Sequence, residues 1–329
     1  MALARPFRLA VGAALCLFFC PVTAIGATAP ELSGRMLIAA NASAGSLAVI
    51  FPDVAEPYRS LFSQIIQGIT EGTGMPVVSI PLGATASLQD VSSALRLQNI
   101  HTVFALGRNG LKMAGALGHD VAVVGGCVIS VPEAEVAGKT IFSLTPDPAL
   151  LFARLKALKP GVTRVHVVYE PSQSGWLIRR AQEAARALRL ELVPHEAADL
   201  KTALRAYQDI LADIDPRRDS LWLPQDTTTV EETTVLPLLL EEAWNHELVL
   251  FSSNVAHVKR GALFSLYPDP REFGRHLGSW AVSPAQAPQG GLVPLTEVLS
   301  AVNVRTAAHL GVRFTDAQMR SFNLVFPEN

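Results

Sequence analysis

Short apolar runs alternate along this chain with longer segments in which apolar residues recur every three or four positions. Such an alternation predicts βαβ units built around a parallel sheet. Two segments, 58–72 and 87–99, have the helical spacing and predict crossover helices. Five apolar runs of the first half predict strands, at 46–51, 75–80, 101–106, 121–126 and 140–144.

The same rhythm restarts after residue 146. Strands are predicted at 164–170, 190–194, 220–224, 248–253 and 262–266. Helices are predicted at 175–188, 200–211, 233–246 and 255–260. We therefore expect an α/β protein of two Rossmann-like lobes with parallel sheets, the first over 47–145 and the second over 146–268. A return helix and C-terminal segment occupy 269–329, and part of this segment is expected to pack back on the first lobe.

Two similar heptapeptides stand where the lobes should join. FSLTPDP covers 142–148 and FSLYPDP covers 264–270. Each sends a predicted strand into a Pro-Asp-Pro turn, and the aspartate suits the N-cap of a following helix. We interpret both as hinge crossovers between the lobes, with the hinge at Thr145, Pro146, Tyr267 and Pro268.

The first residues of the chain have the anatomy of an export signal. Arg5 and Arg8 precede an apolar run over 9–20, Pro21 follows, and small residues stand at 22–24. This order predicts a cleavable secretory signal peptide over 1–24 and a flexible leader over 25–46. Lipidation of Cys20 is the alternative, and the bulky Phe19 before it argues against that.

The number of cysteines indicates the cellular compartment, and the composition limits the class of protein. Of the three cysteines only Cys127 lies beyond the signal peptide, which leaves no disulfide and favours the periplasm of a bacterium. The 329 residues are 49% hydrophobic and 17% charged with a net charge of −2. The high hydrophobic content excludes a disordered chain. The slightly negative net charge disfavours a nucleic-acid partner, because phosphate binding needs a basic surface.

Catalytic and metal-binding signatures are not found in the sequence. GxSxG, SxxK, HExxH and CxxC patterns do not occur in the mature chain, and the eight histidines are scattered. We therefore expect no enzyme activity, no cofactor and no metal site.

The second half resembles the secreted substrate-binding proteins of bacterial ABC transporters, in particular the tryptophan- and tyrosine-type binders. The residues that carry this resemblance are VHVVYEPSQSG at 165–175, LWLPQDTTTV at 221–230, LPLLLEEAWNHELVLFSSN at 236–254, VKRGALFSLYPDPREFGRHLG at 258–278 and VNVRTAAHLGV at 302–312. In the first half ALGRNGLKMAG, at 105–115, is similar to the family more weakly. The resemblance implies a type I periplasmic-binding-protein fold, a small-molecule ligand between the lobes and an inner-membrane ABC permease as partner. A sensory or accessory envelope protein of the same fold is the alternative, and we expect a monomer in either case.

Ligands of open α/β sheets bind beyond the carboxyl ends of the strands, which indicates the candidate site. Polar residues or glycines follow the predicted strands there, and each polar one is equally suited to cap the next helix. The candidates in the first lobe are Gly107, Arg108, Asn109 and Gly126. Those in the second lobe are Glu170, Ser172, Gln225, Asp226, Thr227, Ser252 and Ser253.

Two charged candidates suggest an amino acid, or a related amine or carboxylate, as ligand. The resemblance implies that Asp226 occupies the position from which an aspartate can pair with a ligand ammonium. Thr227 and Glu170 depart from the family's usual asparagines, which leaves the ligand open. Arg108 suits a carboxylate clamp because its guanidinium matches two oxygens, although a solvated loop arginine is the alternative. A ring from Tyr58, Tyr169 or Trp176 could stack on the ligand.

Overall fold

The computed structural model describes residues 47–136, 138–283 and 290–328. The predicted signal peptide, the leader and both early cysteines, Cys16 and Cys20, lie outside these residues. Strands in the described residues are β1 (Leu47–Pro52), β2 (Val77–Leu82), β3 (Thr102–Leu106), β4 (Ala122–Val128), β5 (Thr140–Pro146), β6 (Arg164–Tyr169), β7 (Glu191–Glu196), β8 (Asp219–Leu223), β9 (Val249–Ser252), β10 (Phe264–Pro268), β11 (Gly291–Leu295), β12 (Val298–Asn303) and β13 (Leu324–Phe326).

Helices alternate with these strands as the spacing predicted. Their bounds are α1 (Tyr58–Thr73), α2 (Leu88–Leu97), α3 (Gly107–Gly115), α4 (Glu133–Val136), α5 (Pro148–Leu158), α6 (Pro171–Ala187), α7 (Leu200–Asp213), α8 (Val235–Asn245), α9 (Val255–Arg260), α10 (Pro270–Val282), α11 (Val304–His309) and α12 (Asp316–Arg320). The sequence pattern did not predict α3 as a helix.

The strands form two sheets, each the centre of one lobe. A six-stranded sheet has the order β11-β5-β4-β3-β1-β2, and its neighbouring strands are parallel. A seven-stranded sheet has the order β13-β12-β10-β9-β8-β6-β7 and is parallel except where β12 runs against β10. These two Rossmann-like lobes confirm the predicted fold class.

Alternate residues of a strand pack on opposite faces of each sheet, which explains why inner strands such as β1 are apolar at every position. In β1, Leu47 and Val49 contact one hydrophobic cluster with α1 and α10, while Ala48 and Ile50 contact another with α2. In β8, Trp222 joins the cluster beneath α5 and α6, and Leu221 joins the cluster beneath α7 and α8. A strand covered by helices on both faces needs apolar side chains at every position.

The chain passes between the two sheets three times. It crosses after β5 into α5, after β10 into α10, and between β11 and β12. The first two crossings are the two heptapeptides, and Asp147 and Asp269 cap α5 and α10 as predicted, each accepting a hydrogen bond from a backbone N–H of its helix. The segment after 269 therefore supplies both lobes: α10 and β11 belong to the first, β12 and β13 to the second.

Gly126 lies elsewhere than the sequence suggested. The pattern ended the fourth strand at residue 126, but β4 continues to Val128, so Gly126 is inside the strand and buried. A Cβ at this position would lie 3.4 Å from Leu277 of α10. The prediction that Gly126 occupies a loop at the strand end is wrong, because the strand is two residues longer.

Candidate functional site

Loops that follow the carboxyl ends of strands in both sheets contact each other, in the region where the sequence analysis places the cleft between the lobes. Two hydrogen bonds join the lobes there. Ser130, which follows β4, donates to the backbone oxygen of Gln173 at 2.7 Å. Thr145, at the end of β5, lies 3.4 Å from the side-chain oxygen of Gln225. These contacts place the loops after β4, β6 and β8 in one region.

Asp226 is the most constrained side chain of this region. Its Oδ2 accepts from the backbone N–H of Glu170 at 2.8 Å and from the hydroxyl of Ser174 at 2.9 Å. Its Oδ1 accepts from the backbone N–H groups of Thr228 and Thr229, both at 3.1 Å. A carboxylate offers about four lone-pair sites, and these four donors use them.

The carboxylate of Asp226 is also buried, with 2% of the residue exposed. It ties the loop after β8 to the start of α6. Asp226 does not cap the following helix as the sequence suggested, because α8 begins at Val235 with Thr234 at its N-cap; its carboxylate holds the turn that follows β8. Pairing with a ligand ammonium stays a prediction, and it would require the carboxylate to give up one of these partners.

Glu170 and Ser172 are hydrogen-bonded to each other at the start of α6. The carboxylate of Glu170 accepts from the backbone N–H groups of Ser172 and Gln173 and from the Ser172 hydroxyl, at distances between 2.6 and 3.0 Å. Burial would raise the pKa of Glu170, but these hydrogen bonds outweigh it and lower that pKa. Glu170 is therefore an N-cap that stays negatively charged, and Ser172 is exposed beside it.

Gln225 and Thr227 carry neutral polar groups on the loop that follows β8. Thr227 is exposed, and its hydroxyl donates to Oε1 of Gln173 at 3.3 Å. The Nε2 of Gln173 donates to the hydroxyl of Thr228 at 2.7 Å. Gln173 thus spans the loops after β6 and β8 while its backbone oxygen meets the other lobe.

Ser252 and Ser253 are both buried at the end of β9. The hydroxyl of Ser253 accepts from the indole N–H of Trp222 at 3.0 Å. The hydroxyl of Ser252 donates to the Leu223 carbonyl at 3.2 Å and lies 2.8 Å from Nδ1 of His257. Each hydroxyl therefore has a partner inside the second lobe.

Ser252, His257 and Glu232 lie next to one another in the arrangement of a serine hydrolase triad. His257 is between the other two, with 3.9 Å from its Nε2 to the carboxylate of Glu232. Ser252 is fully buried, and its hydroxyl also lies within hydrogen-bond distance of the Leu223 carbonyl. Burial lowers the pKa of His257 to about 4. A nucleophile needs an exposed oxygen and a basic neighbour. Ser252 has neither.

In the first lobe the candidates lie at the start of α3. Gly107 is buried with a φ of +71°, a conformation that glycine adopts readily. Arg108 is exposed and pairs with Glu135 at 3.3 Å, and it also donates to the Ser130 carbonyl at 3.3 Å. Asn109 is exposed beside it. An exposed ion pair is weak, so a ligand carboxylate could compete for Arg108.

The aromatic candidates differ in access. Tyr58 is 63% exposed at the start of α1. Tyr169 is buried, and its hydroxyl donates to Glu196 at 2.8 Å. Trp176 of α6 packs against a first-lobe cluster formed by Val128, Val131, Val136, Ile141 and Leu292. Of the three rings, Tyr58 is therefore the most accessible, and stacking on a ligand stays a prediction.

Sequence reasoning missed Ser130 and Gln173. Ser130 lies two residues beyond a strand whose end was misplaced. Gln173 lies in the first turn of a helix that was predicted to start at 175. A longer fourth strand would have put Ser130 among the candidates.

The predicted hinge residues lie where the three crossings meet. Pro146 of β5 pairs with Leu295 of β11, while Tyr267 and Pro268 of β10 pair with Leu299 and Val298 of β12. The N–H of Asp147 donates to the Leu295 carbonyl, and the N–H of Asp269 donates to the Glu297 carbonyl, both at 2.9 Å. The third crossing, 295–298, was not predicted, because its strand partners are distant in sequence.

Two further features bear on the chemistry. Among residues 47–136, 138–283 and 290–328, His, Cys, Asp and Glu side chains do not gather in threes around a point where a metal could bind. Within the same ranges, every helix is too short or too polar to cross a bilayer.

Solved structures share this architecture. A ligand-free, open substrate-binding protein with adhesive properties from Clostridium difficile aligns with a TM-score of 0.60 and 16% identity over 85% of this chain and 99% of that one. An ABC domain in complex with L-Trp from Streptococcus pneumonia aligns with a TM-score of 0.49 and 15% identity over 86% of this chain and 100% of that one. No protein-family model and no curated protein matches the chain. The first likeness confirms the two-lobed, type I periplasmic-binding-protein-like fold.

Proposed function

We propose that this chain is the periplasmic solute-binding protein of an ABC-type uptake system, related to the tryptophan- and tyrosine-type binders that its sequence resembles. The observation that carries the proposal is the meeting of loops from the two lobes at their strand ends. Two parallel-sheet lobes present their strand ends to each other and are joined by three crossings. We infer a non-enzymatic protein, and the burial of Ser252 and His257, within the described residues, supports this.

The ligand is a small polar molecule, with amino acids and related amines or carboxylates as the first class to examine. Arg108 is the candidate carboxylate contact and Tyr58 the candidate stacking ring. On the second lobe, Gln225 and Thr227 offer an amide and a hydroxyl. Asp226 and Glu170 support this surface by fixing the loops that carry those groups.

Ligand binding is expected to close the cleft about the three crossings. A thermal-shift screen of the common amino acids identifies a ligand, because saturating ligand at about 100 times Kd stabilises by about 2.7 kcal/mol. Small-angle scattering should then show a smaller radius of gyration with ligand than without it. An unchanged radius at demonstrated saturation would exclude closure.

The hydrogen bond between Ser130 and Gln173 offers a sharper test. Ser130→Ala removes an interlobe bond worth about 1 kcal/mol, so the ligand's Kd should rise about fivefold. Ser321→Ala is the matched control, because that hydroxyl bonds within its own lobe, to the Gln318 carbonyl, and is not a candidate for ligand contact. Equal effects of the two variants would mean that the interlobe bond does not favour the closed state.

Export is tested on protein from the native host. Intact mass should show a mature chain that begins between Ile25 and Thr28 and carries no lipid. A diacylated amino terminus at Cys20 would overturn the soluble periplasmic form.

Genes for a permease and an ATPase next to this one would support uptake, whereas a neighbouring receptor gene would favour the sensory alternative. Sedimentation should give a monomer.

A further inference from the structure

A concavity of about 360 Å³ lies in the second lobe, away from the cleft. Its floor includes Asn303, the last residue of β12, whose N–H donates to the carbonyl of Leu263 just before β10. Because β12 runs against β10, this position is at the amino ends of the parallel strands. The concavity is therefore at the opposite end of the sheet from the proposed solute site.

The walls of this concavity are held by hydrogen bonds. Asn303 donates from Nδ2 to the Val258 carbonyl at 2.9 Å and accepts from the N–H of Thr306 at 3.0 Å. The hydroxyl of Thr306 donates to the carbonyl of Gly261 at 2.9 Å. These bonds fix the end of α9 against the start of α11. The volume falls in the range of small-molecule sites, which are usually preformed in this way.

The rim is cationic. Lys259, Arg260 and Arg305 line it together with one carboxylate, Glu241. Arg260 is 3.8 Å from Glu232 and donates to that residue's carbonyl. Within the described ranges, Lys259 and Arg305 form no ion pair with a carboxylate. Two cations at one rim without carboxylate partners favour an anionic occupant.

The adjoining wall is aromatic. Trp244 is 38% exposed, and the ring of His309 stacks on it at 3.8 Å between centroids. The guanidinium of Arg305 lies 5.3 Å from the Trp244 centroid. Nε2 of His309 donates to the Trp244 carbonyl at 2.8 Å. The indole is thus fixed in place, and with Leu240 it gives the concavity an apolar side.

We propose that this concavity binds a small organic anion with a flat apolar body, its carboxylate between Lys259 and Arg305 and its ring against Trp244 and Leu240. The guanidinium fork of Arg305 suits two carboxylate oxygens, and its stacking on the indole holds it ready. This second site is independent of the solute cleft.

The experiment uses benzoate as the probe and the full mature chain labelled with 5-fluorotryptophan. The chain has four tryptophans, and the ¹⁹F resonance of Trp244 is the one lost in Trp244→Phe. Titration with benzoate should shift that resonance saturably, with a Kd near about 1 mM, as a fragment of this size allows. Benzyl alcohol, which lacks the charge, and inorganic phosphate, which lacks the ring, should each bind at least about tenfold more weakly.

The variants separate this site from surface charge in general. Lys259→Gln combined with Arg305→Gln should raise the benzoate Kd at least about tenfold, and Lys259→Gln alone, which leaves the Trp244 stack intact, about threefold. Lys201→Gln combined with Arg205→Gln, on exposed positions of α7, makes the same charge change and should leave the Kd unaltered.

Three results would overturn the proposal. One is a Trp244 resonance that does not move up to about 10 mM benzoate. Another is a shift confined to Trp176, which would place benzoate near the cleft. The third is an equal loss of affinity in the α7 control, which would reduce the effect to net charge.

Discussion

Asp226→Asn is expected to lower the free energy of unfolding by about 3 kcal/mol. The wild-type carboxylate accepts four hydrogen bonds, two on each oxygen. An amide has one accepting oxygen, so its NH₂ group would face two of these donors, one buried and one half-buried. Each buried donor left without an acceptor costs about 1–3 kcal/mol. Urea unfolding followed by circular dichroism measures the loss.

The matched control is Asp199→Asn. Asp199 caps α7 by accepting from the N–H of Thr202 at 2.7 Å, and it is exposed. Asparagine caps helices about as well as aspartate, so the control should stay within about 0.5 kcal/mol of the wild type. If Asp226→Asn were equally mild and weakened ligand binding at least about thirtyfold, the result would support ammonium pairing and contradict a purely structural role for Asp226.

The fold could be predicted from sequence because its signals are local. An apolar run such as β6, flanked by a charged residue and a helix-spaced segment, identifies a strand without knowledge of its partners. The caps at Asp147 and Asp269 are local too, since each accepts from an N–H two residues along the chain. Repetition of the pattern then indicated two lobes.

Other elements could not be predicted because their cause lies far away in sequence. α3 has three glycines in nine residues, which disfavours a helix, and burial against β1 and β4 overrides that preference. β11 pairs with β5 about 150 positions earlier, so its local sequence does not reveal its lobe.

The site shows the same limit. The sequence placed polar residues at the strand ends, where the structure has them, with Gly126 as the exception. From the sequence alone, a residue that caps a helix could not be distinguished from one that contacts the ligand, because a carboxylate or hydroxyl oxygen can do either. The distinction depends on donors such as the Glu170 N–H, which lies 56 residues from Asp226 in the chain. Ser172, Thr227 and Arg108 keep exposed polar groups and remain the better candidates for ligand contact.

The packing of α1 on α10 connects the cleft to the second crossing. α1 begins just after the loop that follows β1, and α10 begins at the Pro-Asp-Pro turn. Glycines allow their backbones to meet: a Cβ at Gly274 would lie 2.1 Å from the Ile65 carbonyl oxygen, and one at Gly68 would lie 2.1 Å from that of Arg271. Ion pairs from Glu71 to Arg271 and Arg275 cross the same contact.

Gly274→Ala should therefore lower the free energy of unfolding by about 3 kcal/mol, because a methyl group against a backbone carbonyl forces the two helices apart. Gly115→Ala, at the end of α3, is the matched control, since nothing lies within 4 Å of a Cβ there. Alanine's better helix propensity should leave that variant unchanged or up to about 0.5 kcal/mol more stable. The urea midpoint should fall for Gly274→Ala, and for Gly115→Ala it should stay unchanged or rise. Equal midpoints would mean that α1 and α10 do not approach at their backbones.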